Sequence, residues 1–469
     1  FQSQILPAGL YGPSWVWGYL TDTDLPVTGV RPSFLGPVVV AERGVATAPT
    51  YLNELPPGTL SNVLPLLPID LTLDWANPLS IDCTPIGGVL PMDCQLPYFA
   101  DAIPVAAHLH GGEVAPAFDG GPDAWFTQGN AFEGEGFPGN TYDYPNEQQE
   151  STIWFHDHAL GITRLNVYAG LAGVYPIIDP ANPPLATMPA FPQYDIPLII
   201  QDRSFDTNGQ IFYNLASNPQ PNPTVHPYWT PEFIGDTIVV NGKTWPYLEV
   251  EPRQYRFRFV NGSNARFYDL TLAKLVGGPK NRRLSPKAGL RFIVIATDDG
   301  YLVNADETKN LVIGPGERYE VIVNFTEEEV GDEFIMKNSA RTPFPGGEVP
   351  TINGTDTVMK LRVVPLSANP MIPNIVDGTP IRSTPLVPIV DGFDPVNGIR
   401  RQLTLNESIG DGGPLDLVIN NSKFNQEDIL PGCTTPLCRE TELPAIGDTE
   451  IWEIINLSLI HISEPTRPA

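Results

Sequence analysis

Apolar residues in this chain recur in short alternating runs or brief continuous stretches, which are separated by turn residues. Residues 255–260 alternate with period two, and residues 291–296 and 318–323 repeat the same signature. Residues 170–178 and 196–203 are continuous apolar stretches of strand length. Such patterns predict β-strands, and the continuous stretches predict strands that are buried.

Two parts of the chain carry these signals in the same order. Residues 239–245 contain an Asn-Gly pair that is typical of a tight hairpin, and residues 418–424 resemble them. Residues 450–456 resemble residues 255–261 in the same way. The matching order predicts an internal repeat of one barrel type.

Length and composition favour several β domains. The 469 residues allow two to four domains, and 42 glycines and 52 prolines fit short strands joined by turns better than helices. We predict a first domain over residues 1–180, a second over residues 193–365 and the start of a third over residues 396–456. The predicted fold class is therefore all-β, with tandem barrels joined by proline-rich linkers.

The chain is strongly acidic, with a formal net charge of −27 and a sequence pI of about 4.4. This charge argues against nucleic acid or an anionic membrane as partner, and an acidic solvated surface explains it. No apolar run reaches the roughly 18 residues of a membrane span. Because the chain begins at Phe1, a signal peptide would not be visible. We expect a monomer that is secreted, periplasmic or on the cell surface.

The four cysteines form two close couples, Cys83 with Cys94 and Cys433 with Cys438, in stretches that contain proline or glycine. Local disulfides in an exported protein are the favoured interpretation, and free thiols are the alternative.

Four of the six histidines lie in two identical pairs, His108-Leu109-His110 and His156-Asp157-His158, each preceded by a strand-like run. In an extended strand, residues i and i+2 point to the same side, about 6.6 Å apart. Two such strands side by side would present four imidazoles to one cluster of metal ions. Imidazole suits copper, zinc, iron and nickel, and the lack of a nearby cysteine disfavours a structural zinc site. The alternative is two polar pairs on a barrel surface.

These residues resemble the copper motifs of multicopper oxidases. The first motif is Ala-His-Leu-His-Gly-Gly at residues 107–112, followed by residues 119–120 and 124–126. The second is Trp-Phe-His-Asp-His-Ala at residues 154–159, followed by residues 163–171. The resemblance covers nearly the whole chain and is strongest to the branch that contains spore-coat laccase and bilirubin oxidase. It implies cupredoxin-like Greek-key β-barrels, two complete and a third begun, with no copper ligand in the second.

The resemblance also implies an activity and a cofactor. Such an oxidase couples one-electron oxidation of a small organic reductant to the four-electron reduction of O2 to water. The intact protein holds four copper ions: a type 1 copper that receives electrons, and a cluster of one type 2 and two type 3 coppers that reduces O2. By motif position, His108 would bind the type 2 copper. His110, His156 and His158 would bind the type 3 pair.

The end of the chain departs from the family pattern. The two later histidine motifs, one of which carries the type 1 cysteine, do not follow Asn456. Residues 457–469 instead resemble the translation of a sequencing-library adaptor. We therefore expect read-through from truncated DNA, a chain that is inactive as written, and no ligand role for His461. His226 precedes a proline as in a missing motif, but we interpret it as a loop residue.

Two acidic residues accompany the pairs. Asp119 matches an acidic position near the cluster in this branch, where a carboxylate could relay the protons that O2 reduction consumes. The alternative is a loop residue that caps its Asp-Gly-Gly turn. Asp157 is expected on the opposite face of its strand from the ligands, where it orients its neighbours. Trp125 and Trp154 are expected in the core.

Two functions of other classes remain open. One is a copper-binding protein without oxidase turnover, and the other is a metallohydrolase, because His-Asp-His also resembles zinc hydrolases. The sequence does not identify the reductant, which could be a phenol, a bilirubin-like tetrapyrrole, an aromatic amine or a metal ion. Five scattered methionines disfavour cuprous ion.

Overall fold

The structure is a computed structural model of the chain. It describes residues 1–25, 27, 29–55, 67, 103–181, 188–189, 191–213, 233–278, 281–298, 300–367, 374–382, 386, 398–410, 413–422, 442–445 and 447–457. The chain divides into two compact units, one formed by Phe1–Asn214 and Glu232–Pro385, the other by Leu215–Pro231 and Leu386–Ala469.

Strands dominate the described part of both units. The first unit contains β1 Gln2–Ser3, β2 Ser14–Trp15, β3 Val30–Arg31, β4 Ala41–Glu42, β5 Ala107–His110, β6 Ser151–Asp157, β7 Ala172–Ile178, β8 Asp195–Phe205, β9 Ile211–Phe212, β10 Thr237–Val240, β11 Lys243–Thr244, β12 Tyr247–Val250, β13 Gln254–Asn261, β14 Tyr268–Val276, β15 Arg283–Ser285, β16 Phe292–Thr297, β17 Gly300–Thr308, β18 Leu311–Ile313, β19 Arg318–Asn324, β20 Glu333–Asn338 and β21 Thr357–Val363. The second contains β22 Arg400–Gly410, β23 Gly413–Ile419 and β24 Ile451–Asn456.

The all-β prediction is confirmed. Among the described residues the helical segments are one α-helix, α1 Thr163–Ala169, and four 3-10 turns at Asp22–Asp24, Pro116–Phe118, Gln128–Asn130 and Pro286–Ala288. The predicted strands correspond to β7, β8, β13, β16 and β19. No helix within the described ranges has the length and apolar character that a membrane crossing requires.

Two large sheets of the first unit pack face to face. One has eight strands in the order β11-β10-β8-β13-β19-β16-β17, with β9 paired to β8. The other has six strands in the order β12-β21-β20-β14-β15, with β18 paired to β14. Buried side chains from both sheets form the core between them, among them Phe257, Phe259, Val321, Leu272 and Phe334. Alternate apolar positions build this core because successive residues of a strand point to opposite faces.

The eight-stranded sheet is buried on its second face as well. All eight residues of β13 are buried, and its arginines, Arg256 and Arg258, alternate with the aromatic residues of the core. They form ion pairs with Asp195 of β8 and Glu320 of β19. Buried charges persist only when partners satisfy them. The alternating pattern therefore predicts the strand. It does not predict that the polar face of the strand is buried, because that depends on tertiary packing.

A smaller sheet in the order β4-β7-β6-β5, which we name the histidine sheet, lies against this second face. One side of the histidine sheet carries Leu109, Ile153 and Phe155 into a separate core. The other side carries Trp154, which packs in a buried cluster with Ile199 of β8 and further residues of both sheets. The side chains on the two faces of β6 thus pack in two different hydrophobic cores.

The second unit has a three-stranded sheet in the order β23-β22-β24. It repeats part of the eight-stranded sheet, because β22 pairs antiparallel with β23 and parallel with β24, just as β8 pairs with β10 and β13. The turns match as well. Asn241 Oδ1 accepts a hydrogen bond from Ile199 N, and Asn420 Oδ1 accepts one from Thr404 N, at 2.9 and 2.8 Å. The internal repeat expected from the sequence therefore includes the strand pairing and the hydrogen bond between the turn asparagine and the backbone.

Candidate metal centre

The structure brings the two histidine pairs together. Strands β5 and β6 are antiparallel, with His108 opposite His156 and His110 opposite Trp154. His158 lies just beyond β6, where its backbone N–H donates to Ala106 O at 2.8 Å. The ring centroid of His108 lies 5.8 Å from the ring centroid of His110, 5.3 Å from that of His156 and 4.7 Å from that of His158. Four imidazoles therefore share one face at the edge of the histidine sheet.

Backbone carbonyls orient two of the rings. His108 Nδ1 lies 2.5 Å from Asp119 O, and His156 Nδ1 lies 2.6 Å from Asp157 O. A carbonyl accepts a hydrogen bond, so each Nδ1 carries the proton and each Nε2 keeps its lone pair for a metal. His110 Nδ1 approaches His156 Nε2 at 3.1 Å. Nitrogen atoms of His108, His110 and His156 all lie within 4.8 Å of one another, a spacing that can hold a metal ion.

Three rings of this cluster, those of His110, His156 and His158, have lowered pKa values. Burial, followed by the positive charges of Arg318, His108 and His158, lowers the pKa of His110 to about 3. Burial lowers the pKa of His158 to about 4 and that of His156 well below its usual range. A metal binds the unprotonated ring, so protons do not compete with it near neutral pH. The donor set therefore fits a metal that imidazole prefers, such as copper.

His158 offers a second sign of a ligand site. Its Nδ1 is buried and has no hydrogen-bond partner among the described residues. Buried polar atoms nearly always have partners, and each exception needs an explanation. A metal ion that accepts the lone pair of an imidazole nitrogen would supply that partner.

Asp157 anchors the end of β6 from the opposite face. Its carboxylate accepts hydrogen bonds from Ala106 N at 3.0 Å, Ala159 N at 3.1 Å and Asn166 Nδ2 at 2.9 Å. Burial raises the pKa of Asp157 to about 7. Through these contacts one side chain joins the start of β5, the turn after His158 and helix α1. It orients its neighbours, as its position in the strand predicts.

Asp119 lies beside His108, although it is 11 residues further along the chain, in the loop that follows β5. Its carboxylate Oδ1 is 3.6 Å from His108 Nδ1, and the side chain is 46% exposed. The next residue, Gly120, has φ +72, and a Cβ there would lie 1.9 Å from Ala107 O. Only glycine allows this approach of the loop to β5, and the approach gives His108 its carbonyl partner.

Trp125 and Trp154 are both buried, at 8% and 4% exposure. The centroid of Trp154 lies 5.2 Å from that of His110 and 4.3 Å from that of His156. Trp154 thus belongs to a core and also forms one wall of the centre.

Sequence reasoning missed the residues that hold the centre from the eight-stranded sheet. Arg318, at the start of β19, donates from Nε to Thr152 O at 3.1 Å and from Nη1 to Gly316 O at 3.1 Å. Arg258 Nη1 donates to Thr152 Oγ1 at 2.9 Å, and Thr152 Oγ1 donates to Glu320 Oε1 at 2.5 Å. The available signal was charged residues at alternate positions of two strongly apolar strands, Arg256 and Arg258 in β13 and Arg318 and Glu320 in β19.

Several predicted residues lie outside the described residues. They are the four cysteines, His226 and His461, together with residues 458–469 of the suspected adaptor translation.

Comparison with known proteins gives consistent relatives. The chain is 33% identical over 465 residues to the multicopper oxidase LPR1 homolog 1 of Oryza sativa subsp. japonica, which covers 97% of this chain and 68% of that protein. It is 35% identical over 442 residues to the laccase of Bacillus subtilis (strain 168), which covers 92% and 72%. Among solved structures, the McoA multicopper oxidase of Aquifex aeolicus has a TM-score of 0.55 at 25% identity, over 83% of this chain and 64% of that one. No protein-family model matches the chain.

The fold and the four convergent imidazoles together define a cupredoxin-like oxidoreductase that uses copper. The chain belongs to the multicopper oxidase family. Members of this family use type 1, type 2 and type 3 copper, and they couple oxidation of an organic reductant to reduction of O2 to water. The expected fold class and cofactor are thereby confirmed.

Proposed function

We propose that this chain serves a laccase-like oxidase that takes electrons from phenol-like donors, and that its two histidine pairs bind the oxygen-reducing copper cluster. His108 is assigned to the type 2 copper. His110, His156 and His158 are assigned to the type 3 pair. The observation that carries the proposal is the convergence of the four rings, whose neighbouring centroids lie 4.7 to 5.8 Å apart.

When bound, the copper ions supply the one-electron transfers that O2 reduction requires. The protein's own contribution is preorganisation. The carbonyls of Asp119 and Asp157 fix the orientation of two imidazoles, and burial lowers the pKa of His110, His156 and His158. Trp154 excludes water from one side of the centre because it is buried against two of the rings.

Asp119 is the proposed proton relay. Its half-exposed carboxylate can exchange protons with water, and its position 3.6 Å from the His108 ring places it beside the centre. In the intact four-copper protein, Asp119→Asn should therefore slow O2 uptake and change its pH profile, with no loss of copper. Asp123→Asn, on the same loop, is the matched control. A pH profile of O2 uptake that Asp119→Asn leaves unchanged would refute the relay.

Export and domain organisation are part of the proposal. The domains are assigned to residues 1–180, 193–365 and 396–456, and the second has no copper ligand. The acidic surface supports a monomer without nucleic acid or membrane partners. The two cysteine couples support a secreted, periplasmic or cell-surface protein with local disulfides.

Copper(II) binding to the chain tests the ligand assignment directly. We expect electron paramagnetic resonance of the copper-loaded chain to show nitrogen superhyperfine coupling. His110→Ala and His156→Ala should each weaken copper(II) binding at least tenfold, because each removes one of the clustered nitrogen donors. His226→Ala, outside both pairs, is the matched control and should bind like the wild type.

Two results would overturn the assignment. One is copper(II) binding that neither cluster variant affects. The other is a wild-type chain that takes up zinc from a mixture of the two ions and stays colourless, which would favour a hydrolase. Metal content by mass spectrometry separates these outcomes.

A further inference from the structure

Strand β6 joins the copper ligands to the eight-stranded sheet. Thr152, Trp154 and His156 alternate along β6 and therefore lie on one face of it, the face that Glu150 begins just before the strand. Glu150 Oε1 accepts a hydrogen bond from Tyr301 OH at 2.5 Å, and Thr152 contacts Arg258 and Glu320. The face that presents His156 to the metal is therefore the face that the eight-stranded sheet holds.

Arg318 makes the first contact, with the backbone of β6. The β5–β6 ladder ends at the pair His110–Trp154, so Thr152 lies beyond it. Its pair with Pro176 on the β7 side is a non-hydrogen-bonded one, because Asp157 N donates to Leu171 O and the pair types alternate along the ladder, so the Thr152 carbonyl points away from β7. Arg318 Nε donates to the Thr152 carbonyl instead, at 3.1 Å. Arg318 is 4% exposed, and a charged donor makes this bond stronger than a neutral one would.

Gly316 makes the second contact, on the other histidine pair. Its φ is +84, and a Cβ built on it would lie 3.1 Å from His110 Cε1 and 3.5 Å from His110 Nε2. The turn is fixed at both ends, because Gly316 N donates to Asn261 O at 2.8 Å and Gly316 O accepts from Arg318 Nη1 at 3.1 Å. One guanidinium thus connects the strand of His156 to the turn that contacts His110.

We propose that Arg318 and Gly316 are positioning residues of the copper centre. They are supplied by a domain that contributes no ligand, and they fix the spacing between the His110 ring and the β6 ligands. The inference rests on the proposed function, since it concerns the same four histidines. It makes the second domain a part of the centre and more than a spacer.

Gly316→Ala is the sharpest test because the chain offers a matched control. Gly331 also has a positive φ, +95, but nothing lies within 4 Å of a Cβ built there. Both substitutions carry the strain of a left-handed residue, about 1–2 kcal/mol, and only Gly316→Ala presses on His110. We expect Gly316→Ala to weaken copper(II) binding about tenfold and to change the copper(II) spectrum. Gly331→Ala should leave both unchanged.

Arg318 is tested by two substitutions. Arg318→Met removes the charge, the hydrogen bonds to the Thr152 and Gly316 carbonyls and the ion pair with Asp298. Arg318→Lys keeps the charge but cannot reach two carbonyls with a planar fork. We expect both variants to weaken copper(II) binding about tenfold. Arg341→Met is the control, because Arg341 bonds to Gly347 O in its own exposed loop. Should Arg318→Met fail to fold, Gly316→Ala, which adds one methyl group, decides alone.

The outcomes separate this inference from the proposed function. A wild-type chain whose copper(II) affinity is independent of His110 and His156 defeats the proposed function. A wild type that binds through them, with Gly316→Ala and Arg318→Lys matching it in affinity and spectrum, overturns the positioning role alone. Urea midpoints of all variants show whether a lost signal reflects unfolding.

Discussion

His108 lies directly opposite His156 in the antiparallel ladder of β5 and β6. This register offsets the two pairs by two residues, so that His110 faces Trp154 and His158 extends past the end of the ladder. The four rings therefore lie along a diagonal of the sheet, with His108 and His156 at its middle. A ladder with the two pairs fully in register would have placed His108 opposite His158 and His110 opposite His156.

Glu150→Gln should flatten the dependence of stability on pH. Burial raises the pKa of Glu150 from 4.5 to about 6. A carboxyl whose folded pKa is raised contributes stability that is fully present below pH 4.5 and is lost as the pH rises through about 6. The loss amounts to about 2 kcal/mol. Urea unfolding of both proteins at several pH values should show the wild type losing this amount relative to the variant. Parallel curves would contradict the prediction.

Glu320→Gln should act in the opposite direction. Burial alone would raise the pKa of Glu320, but Arg256 and Arg258 outweigh it and lower the pKa from 4.5 to about 2. Its contribution is therefore present above pH 4.5 and is lost as the pH falls towards 2. We expect the variant to lose about 3 kcal/mol or more at pH 7, because two buried arginines lose a carboxylate partner. Equal urea midpoints at pH 7 for variant and wild type would refute this.

Gly120→Ala should damage the approach of the Asp119 loop to β5. A Cβ at Gly120 would lie 1.9 Å from Ala107 O, so the loop must move and His108 loses its carbonyl partner. Gly129 has a similar φ of +63 with nothing within 4 Å, and it is the matched control. We expect Gly129→Ala to cost about 1–2 kcal/mol of unfolding free energy, and Gly120→Ala to cost more and to weaken copper(II) binding. Thermal unfolding and copper titration of both variants measure this, and equal effects would disprove it.

Asp157→Asn should destabilise the end of β6. The buried carboxylate accepts three hydrogen bonds, and an amide replaces one acceptor with a donor that faces N–H groups. The expected cost is about 1–3 kcal/mol. Asp206→Asn is the control, because Asp206 also accepts two backbone N–H groups, those of Asn208 and Gln210, but in a turn open to solvent. Comparable losses in the two variants, measured by urea unfolding, would show that burial does not matter here.

The sequence predicts the strands and the four histidines because both depend on local spacing. Period two places His108 and His110 on one side, and the same alternation places Asp157 opposite the ligands. Local sequence does not determine which part of the protein covers the polar face of a strand. Arg256 and Arg258 alternate with aromatic residues, and nothing in that pattern states that a second sheet covers them. The contact of Gly316 with His110 likewise depends on how the histidine sheet packs against the eight-stranded sheet, which no single stretch of sequence encodes.

The burial of the eight-stranded sheet on both faces has a consequence for biosynthesis. All four proposed ligands leave the ribosome long before β13 and β19 are made, and domains fold as units from the N-terminus during synthesis. Until then Thr152 and Trp154 have no surface to pack on, and the His110 ring has no Gly316 against it. Copper that arrives early meets histidines that are present but not yet held in place. The residue that links the eight-stranded sheet to β6, Arg318, is thus made 160 residues after the last proposed ligand, His158.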